Sequence, residues 1–410
     1  MRAASLLTQV LQLKQTRVHA VSFEKDGLVA DVAPTTRVPR CAGCGCKARR
    51  VKDQRVRTWR HLDLAGMALR LRYALRRVIC RLCGVTVERV PWAGHDTGFT
   101  LPFEQQVGWL TQRNDRTSVS TLMRVAWKTV GRIIVRVAAR LAPGDPLDGL
   151  VHIGVDELSY RRHHEYVTVV VDHDRGAVVW AHPGKNADTL KLFFAELGPE
   201  RNAKLEAVTI DMSQAYIKAV TEASPEAQII FDRFHVQRLA HDAVDEVRRE
   251  QVRVVKDTDE AAIIKGTRYA LQKNPWNLTV DEAMKLSDVQ ATNRPLYRAY
   301  LLKEMLAKIL DGRQVNVARQ RLLEWIQWAN RSQLKPFRRV AKTIKKHIDG
   351  ILAYVASGLN NGRVEGLNGK ARTITRRAYG FHDAQSLIGL LFLCCSGLAI
   401  TLPHTYPGVH

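Results

Sequence analysis

Three acidic residues are candidates for metal-dependent chemistry. Asp156 follows the β-branched run of residues 151–155, Asp211 follows the short apolar run of residues 207–210, and Glu365 opens the basic segment EGLNGKARTITRR. Carboxylates brought together repel one another and raise each other's pKa, so they converge where a cation lies between them. Three of them would hold two Mg²⁺ ions, which prefer oxygen ligands and serve phosphodiester displacement.

Each acid also has a simpler explanation when it is taken alone. An aspartate after a strand commonly forms a turn or caps the next helix, and Glu365 would favour the N-terminus of a helix. The joint placement of the three acids is what favours a metal site.

The elements predicted around these acids would bring them together. Residues 147–236 show the order βββαβαβ of a ribonuclease H-like core. In that fold the first and fourth strands are neighbours, so we expect Asp156, at the end of the first strand, to meet Asp211, at the end of the fourth. Residues 237–355 are helical by periodicity, which predicts a helical insertion before the core resumes at 356–410.

The helix predicted from Glu365 onward has two different faces. One face is apolar and consists of Leu367, Ala371, Ile374 and Ala378. The other face carries the acid with polar and basic residues, namely Glu365, Asn368, Arg372 and Arg376. Because guanidinium groups bind phosphates, this face suits a metal ligand beside a DNA backbone.

Four of the seven cysteines form two C-x-x-C pairs: Cys41, Cys44, Cys80 and Cys83. Two such turns aim four thiolates at one Zn²⁺ ion, and the arginine-rich strand sequence between them suits a zinc ribbon. We therefore predict a zinc-ribbon domain in residues 1–98. Disulfides are the alternative in an oxidising compartment. Cys46 could replace Cys44, and His61 is a further candidate ligand.

The charge of the chain indicates a polyanionic partner. The 410 residues carry a formal net charge of +23. Residues 1–140 hold 26 Lys and Arg against 9 Asp and Glu, whereas the remaining residues have a net charge of only +6. This distribution favours nucleic-acid binding by the N-terminal third. A basic surface that only aids solubility is the alternative.

Three short helical patterns in residues 99–146 predict a helix-turn-helix domain. The third helix has an apolar face of Val130, Ile133, Ile134 and Val137. Its opposite face is basic and carries Lys128, Arg132, Arg136 and Arg140. The first three of these bases are candidate DNA contacts. A structural three-helix spacer with a solvated basic face is the alternative.

Residues 386–403 form an uncharged apolar run about as long as the shortest membrane helix. Two glycines and the polar residues Ser386, Ser396 and Thr401 interrupt this run. We therefore expect a buried helix rather than a membrane span, with Cys394 and Cys395 in its core. The first residues lack a sustained apolar core and a cleavage site, so no signal peptide is expected.

Together these motifs resemble the DDE transposases of bacterial insertion sequences, in particular the ISL-type group with an N-terminal zinc ribbon. The similarity spans nearly the whole chain, from the cysteine pairs and the helix-turn-helix to the segments GVDE, VTIDMSQAY, FDRFHVQR, KGTRYALQKN and NGRVEGLNGKARTITRRAYGF. It implies that the catalytic triad consists of Asp156, Asp211 and Glu365. It also implies that three residues support the active site, namely Asp232 and His235 of a D-x-x-H element and Asn368.

The resemblance further implies an activity and partners. Such a transposase binds terminal inverted repeats, cleaves the DNA ends with Mg²⁺ or Mn²⁺, and joins them to target DNA in the same pocket. The implied partners are double-stranded DNA and further copies of the chain, in a homodimer or larger assembly that holds two ends. No membrane is involved, and the expected location is the bacterial cytoplasm at the nucleoid. Phosphate contacts are expected from Lys370, Arg372 and Arg376.

Two other functions are compatible with the same motifs. A DNA-binding regulator descended from a transposase would use the ribbon and helix-turn-helix without catalysis, and a structure-selective nuclease would use the same core without strand transfer. Three tryptophans also have two possible roles, stacking on a flipped base or packing in a core: Trp276, Trp325 and Trp328.

Overall fold

The computed structural model describes residues 3–142, 144–161, 165–256, 258–357, 359, 362–377, 381 and 383–402. These residues form two compact units. The first unit contains the residues up to 142 together with those from 385 onward, and the second unit contains the residues between them.

The first unit begins with a helix and a five-stranded sheet. Its elements are α1 (Ala3–Leu11), β1 (Thr16–Glu24), β2 (Gly27–Pro34), β3 (Arg50–Arg60), β4 (Leu69–Cys80) and β5 (Gly84–Val87). The strand order is β1-β2-β4-β3, and β5 pairs with β4. Trp59 and Trp92 pack edge to face in the core, with ring centroids 5.6 Å apart. The arginine-rich strand sequence predicted between the cysteine pairs is confirmed, and it forms the antiparallel pair β3 and β4.

Three helices follow the sheet in the first unit: α2 (Leu101–Arg113), α3 (Arg116–Met123) and α4 (Trp127–Leu141). Side chains cap the first two, because Thr100 accepts from the Phe103 N–H and Asp115 accepts from the Ser118 N–H. Arg124 adopts a left-handed conformation that ends α3. The predicted apolar face of α4 is confirmed as buried.

A five-stranded sheet lies in the second unit. Its strands are β6 (His152–Arg161), β7 (Glu165–Asp172), β8 (Ala177–Pro183), β9 (Ala207–Ile210) and β10 (Gln228–Phe231), and the helices between them are α5 (Ala187–Leu197), α6 (Pro199–Asn202) and α7 (Gln214–Ala223). The order across the sheet is β10-β9-β6-β7-β8. Strands β6, β7 and β8 are antiparallel, whereas β9 and β10 run parallel to β6. The predicted succession of elements is confirmed, with the short α6 added.

One predicted strand boundary is wrong. Asp156 does not end the first strand, because β6 continues to Arg161 as the antiparallel partner of β7 and pairs Asp156 with Val169. Asp211 does follow the last residue of β9 directly, as predicted.

The rest of the second unit is helical in its described part. Its helices are α8 (Arg233–Val254), α9 (Asp259–Lys265), α10 (Arg268–Gln272), α11 (Val280–Thr292), α12 (Arg294–Leu310), α13 (Val315–Arg331), α14 (Lys335–Lys346), α15 (Ile348–Ser357) and α16 (Gly362–Arg377), with a 3-10 turn at Pro275–Asn277. Thr279 and Glu282 form a reciprocal capping box at the start of α11. The helical periodicity read from the sequence is confirmed here.

The apolar run near residue 390 forms the buried helix α17 (Ala384–Cys395), as predicted. We predicted that residues 356–410 belong to the catalytic core, which would include this helix. Helix α17 instead packs on α2 and α4 of the first unit. The Gln112 amide donates to the Leu393 carbonyl at 2.6 Å, and a Cβ on Gly389 would lie 3.2 Å from the Val135 backbone. A helix that is apolar on all sides needs such cover. Among the described residues no helix is long and apolar enough to cross a membrane.

Candidate active site and zinc centre

Four cysteines of the first unit form a metal centre. The Sγ atoms of Cys41, Cys44, Cys80 and Cys83 all lie within 4.8 Å of one another, and those of Cys44 and Cys80 are 3.5 Å apart. A tetrahedral ion with Zn–S bonds of about 2.3 Å requires sulfur atoms about 3.8 Å apart. The four thiols therefore fit Zn²⁺.

The two C-x-x-C turns allow this close approach. Gly84 has a positive φ of 67°, which favours glycine, and a Cβ on Gly43 would lie 3.3 Å from the Cys83 Sγ. The hydrogen bond with the neighbouring Cys44 raises the pKa of the Cys83 thiol to about 12. A bound cation would take the place of these protons.

The two alternative zinc ligands lie outside this group. Cys46 is not among the four converging thiols, although its carbonyl accepts from the Cys41 N–H at 2.9 Å. His61 is buried, and its Nδ1 lies 2.8 Å from the Thr100 hydroxyl at the start of α2.

The basic face of α4 divides into two kinds of residue. Lys128 and Arg132, near its N-terminus, are exposed. Arg136 instead donates from Nε to the Glu104 carboxylate of α2 at 2.8 Å, and Arg140 donates from Nη1 to the same carboxylate at 2.8 Å. Glu104 is fully buried. The structure therefore uses Arg136 to hold α4 against α2, and leaves Lys128 and Arg132 at the helix end that contacts bases in helix-turn-helix proteins.

Glu104 was missed by sequence reasoning. The sequence signal was an acid between Phe103 and Val107, two residues of the inward-facing side of α2. A carboxylate buried at such a position needs a cationic partner. The Thr97 hydroxyl donates to the same carboxylate at 2.8 Å, so the segment before α2 is held as well.

In the second unit, strand register places the backbones of two of the predicted acids at the same level of neighbouring strands. The last registered residues of the parallel pair β6 and β9 are Gly154 and Thr209, and Asp156 and Asp211 each lie two residues further along. Parallel neighbouring strands are about 4.8 Å apart. Burial raises the pKa of the neighbouring Glu157, and the charges of Asp211 and Asp156 add to this rise.

Asp232 occupies the same level one strand further along the sheet. Strand β10 pairs Phe231 with Ile210 of β9, so Asp232 and Asp211 each follow the last pair by one residue. The Asp232 N–H donates to the Ile210 carbonyl at 3.2 Å, and its carboxylate caps α8 by accepting from the Phe234 N–H at 2.9 Å. The backbone positions of three aspartates thus align across β6, β9 and β10, and these residues are here called the carboxylate row. Their carboxylate oxygens do not all lie within 4.8 Å of one another.

The first member of this row, Asp156, is almost buried. Its side chain is 15% exposed, and burial raises the pKa of its carboxyl, with a further contribution from Asp232. The Glu157 N–H, which donates to Oδ1 at 2.8 Å, and the charges of His235 and Arg372 oppose this rise. The carboxylate is therefore poorly solvated beside other acids, which is the environment that a cation relieves.

Arg372 of α16 reaches the carboxylate row from the neighbouring helix. Its Nη2 lies 3.8 Å from the Asp156 Oδ2, and its guanidinium lies 5.9 Å from the centre of the Phe234 ring. Phe234 is 44% exposed beside the row. His235 Nε2 lies 3.9 Å from the Asp232 Oδ2. Phe234 was not among the predicted site residues, although it lies between the two residues of the D-x-x-H element.

Glu157 belongs to the opposite face of β6, because successive residues of a strand alternate. Burial raises the pKa of its carboxyl, and a hydrogen bond from Tyr216 of α7 counteracts this. Burial likewise raises the pKa of Tyr216, whose hydroxyl lies 3.3 Å from the Thr168 hydroxyl of β7. This network fixes β6 from behind and keeps Asp156 directed away from α7.

The third predicted acid, Glu365, lies in the first turn of α16. Its side chain and that of Asn368 are outside the described part of the structure. Ala371 and Ile374 are buried, as predicted for the apolar face, and Leu367 is half-buried, whereas Ala378 is outside the described residues. The three bases of the opposite face are exposed, namely Lys370, Arg372 and Arg376.

The three tryptophans fall into different environments. Trp325 is 2% exposed, and its indole N–H donates to the Leu302 carbonyl at 2.8 Å, so it packs in the core. Trp328 is half-buried against the same core. Trp276 is 74% exposed in the 3-10 turn.

Comparison with known proteins defines the class of this molecule. Residues 37–83 match the zinc-finger of transposases IS204/IS1001/IS1096/IS1165, residues 88–138 match the helix-turn-helix domain of transposase family ISL3, and residues 153–390 match a transposase domain of the same family. The order of these domains, the four-thiol centre and the aligned aspartates of the second unit are those of a DNA-binding DDE transposase with a zinc ribbon.

The chain belongs to the ISL3 family of transposases. It is 39% identical to the transposase for insertion sequence element IS1557 of Mycobacterium tuberculosis, over 97% of this chain and 96% of that protein. It is 31% identical to the transposase for insertion sequence element IS1001 of Bordetella parapertussis, over 86% of this chain and 87% of that protein. The predicted family and the class of enzyme are confirmed.

Proposed function

We propose that the protein cleaves the ends of its insertion sequence by phosphodiester hydrolysis and joins them to target DNA at the carboxylate row. The observation that carries this proposal is the register of β6, β9 and β10, which aligns Asp156, Asp211 and Asp232. The sheet order and the mixture of parallel and antiparallel pairs support a ribonuclease H-like core, interrupted by the helical insertion 237–355.

The residues of this row suit Mg²⁺ or Mn²⁺. Their donors are carboxylate oxygens, which hard divalent cations prefer, and the poorly solvated Asp156 would be relieved by such a charge. Asp156 and Asp211, with Glu365 as the third acid, would hold the ions. When bound, the ions would supply an activated attacking oxygen and a stabilised leaving oxygen.

Residues around the row would position the DNA. Arg372 lies within reach of Asp156 and carries the charge that binds a phosphate next to the scissile bond, and Lys370 and Arg376 would hold neighbouring phosphates. Asp232 fixes the start of α8 by its cap, so His235 is held beside the row as a positioning residue. One site would then serve both hydrolysis and strand transfer.

The first unit would select the DNA. Lys128 and Arg132 at the start of α4 would contact the terminal inverted repeats, with the zinc ribbon beside them. Both ends of the element must be held during joining, so the active form is proposed to be a homodimer or larger assembly. Such an enzyme acts where the chromosome lies, at the nucleoid of the cytoplasm.

Purified protein, Mg²⁺, a labelled inverted-repeat duplex and a supercoiled target provide the test. We expect joined product from the wild type and from Asp242→Asn, a control at an acid that is 75% exposed. Asp156→Ala and Asp211→Asn are expected to bind the duplex without cleaving or joining it. Nicking without joining by the wild type would instead support the nuclease, and binding without either reaction would support the regulator.

A further inference from the structure

Helix α14 of the second unit has two sharply different faces. Its buried side is formed by Pro336, Phe337, Val340, Ala341 and Ile344. Its exposed side carries six bases, which are Lys335, Arg338, Arg339, Lys342, Lys345 and Lys346. Residues 331–347 contain seven Lys and Arg and no Asp or Glu. The chain after residue 140 has a net charge of only +6, so this local cluster of bases is not evident from net charge.

Four of these bases form one continuous row, here called the α14 stripe. Lys335, Arg338, Lys342 and Lys345 recur at steps of three, four and three residues, which places them on one side of a helix. The row is about 15 Å long at a rise of about 1.5 Å per residue. Within the described part of the chain, none of the four forms an ion pair with an acid.

The two remaining bases of α14 are engaged by the protein itself. Arg339 pairs with Glu246 of α8, and the Lys346 ammonium donates to the Gln214 side chain of α7 at 2.8 Å. These contacts attach the flanks of α14 to its neighbours. The bases of the α14 stripe make no comparable ion pair among the described residues.

A solvated helix surface does not require this arrangement. Like charges three and four residues apart repel and destabilise a helix, and surface helices usually intersperse the two signs. Helix α11 shows the usual pattern, with Asp281, Glu282 and Asp288 around Lys285. A row of uncompensated bases is relieved when a polyanion lies along it, because the phosphates replace small counterions.

We propose that the α14 stripe binds the phosphate backbone of duplex DNA, as a second DNA-binding surface in the unit that carries the carboxylate row. One strand of B-DNA presents a phosphate about every 3.4 Å along the axis, so about four phosphates match the length of the stripe. The inference rests on the chain acting on DNA, and it does not depend on the proposed roles of the acids. The bound duplex is either the transposon end or the target.

The test compares two full-length variants of equal net charge. The stripe variant carries Lys335→Gln, Arg338→Gln, Lys342→Gln and Lys345→Gln. The control variant removes four exposed bases that are scattered over other helices of the same unit: Arg253→Gln, Lys265→Gln, Lys285→Gln and Lys308→Gln. Affinity is measured against salt concentration in Mg²⁺-free buffer, so that binding is separated from any strand cleavage.

Two arms distinguish the sources of DNA. The first arm measures binding of an inverted-repeat duplex to the free protein, and the second measures capture of a random-sequence duplex by protein already holding the inverted repeat. Loss of four phosphate contacts reduces the magnitude of the negative slope of log K against log salt by about 3.6. Raising the salt concentration from about 50 to about 200 mM therefore weakens DNA binding by the wild type about 150-fold more than binding by the stripe variant. This change in the first arm identifies end DNA, and in the second arm alone it identifies target DNA. Equal slopes for stripe and control variants in both arms overturn the proposal.

Folding is checked separately from binding. Because removal of like charges relieves repulsion, the stripe variant is expected to melt at a Tm no lower than that of the wild type. If it melts earlier, the double variant Lys342→Gln/Lys345→Gln decides the question, with an expected slope change of about 1.8. A variant that keeps the charges, Lys335→Arg/Lys342→Arg/Lys345→Arg, is expected to retain the wild-type slope. Loss of slope in this last variant would contradict a role of the charges.

Discussion

Replacing Arg136 with methionine is expected to weaken the first unit rather than its binding to DNA. Arg136 meets the Glu104 Oε1 from Nε at 2.8 Å and from Nη2 at 2.7 Å, and Glu104 is fully buried. Breaking a buried ion pair completely costs about 3–5 kcal/mol. Arg140 and Thr97 still satisfy the carboxylate and Arg136 is 31% exposed, so the expected loss is about 2 kcal/mol, within the range for hydrogen bonds to charged groups.

Hydrogen exchange of the amides in α2 and α4 measures this loss locally, in a chain whose two units need not unfold together. A loss of about 2 kcal/mol accelerates exchange about 30-fold, because each 1.36 kcal/mol is about a factor of ten. The matched control is Arg132→Met, at an exposed position one helical turn earlier. It is expected to leave exchange unchanged and to lower the salt slope of DNA binding by about 1.

The opposite result would refute this assignment. If Arg136→Met left the exchange of α2 and α4 unchanged and lowered the salt slope by about 1, Arg136 would be a phosphate contact. The Glu104 carboxylate would then be stabilised by Arg140 and Thr97 alone.

Three further outcomes are expected. Cys83→Ser is expected to abolish stoichiometric zinc in elemental analysis, whereas Cys46→Ser, outside the converging thiols, retains it. Arg372→Met is expected to reduce strand joining about 100-fold in a gel assay, the effect of losing one preorganised charge donor. Arg319→Met, at an exposed arginine of α13 that pairs with Asp349, is expected to join normally. Burial lowers the pKa of His173 in the folded protein. As pH drops through the ordinary histidine pKa of about 6.5, the unfolded chain binds a proton at this residue before the folded chain does, so the free energy of unfolding falls. His173→Gln is expected to flatten that fall in denaturation measured against pH.

Local patterns in the sequence were sufficient for much of this molecule. The spacing of Cys41, Cys44, Cys80 and Cys83 fixes which thiols meet, because two short turns leave few other arrangements. The β-branched runs and apolar helical periodicities likewise predicted the strands and helices of the second unit, since each element must bury one face.

Features that depend on partners distant in sequence were not predictable. The end of β6 is set by the length of β7 alongside it, so the position of Asp156 within the strand was misjudged. The apolar run of α17 predicted burial but not its partners, which are α2 and α4 of the first unit. The roles of Glu104 and Arg136 also depend on a contact across 32 residues of chain. Periodicity within one segment carries no information on such contacts.

The net charge of a segment does not show how many of its bases are free to bind DNA. Four arginines of β4 are already paired with acids of the same unit: Arg70 with Asp26, Arg72 with Asp31, Arg76 with Glu88 and Arg77 with Asp53. Such pairs stiffen the sheet but offer little charge to a phosphate, so the excess of the first 140 residues overstates their capacity for DNA. The α14 stripe has the reverse property, because it lies in a nearly balanced region and its charges are uncompensated. Two basic surfaces in separate units would let one chain hold an element end and a second duplex at once, which strand transfer requires.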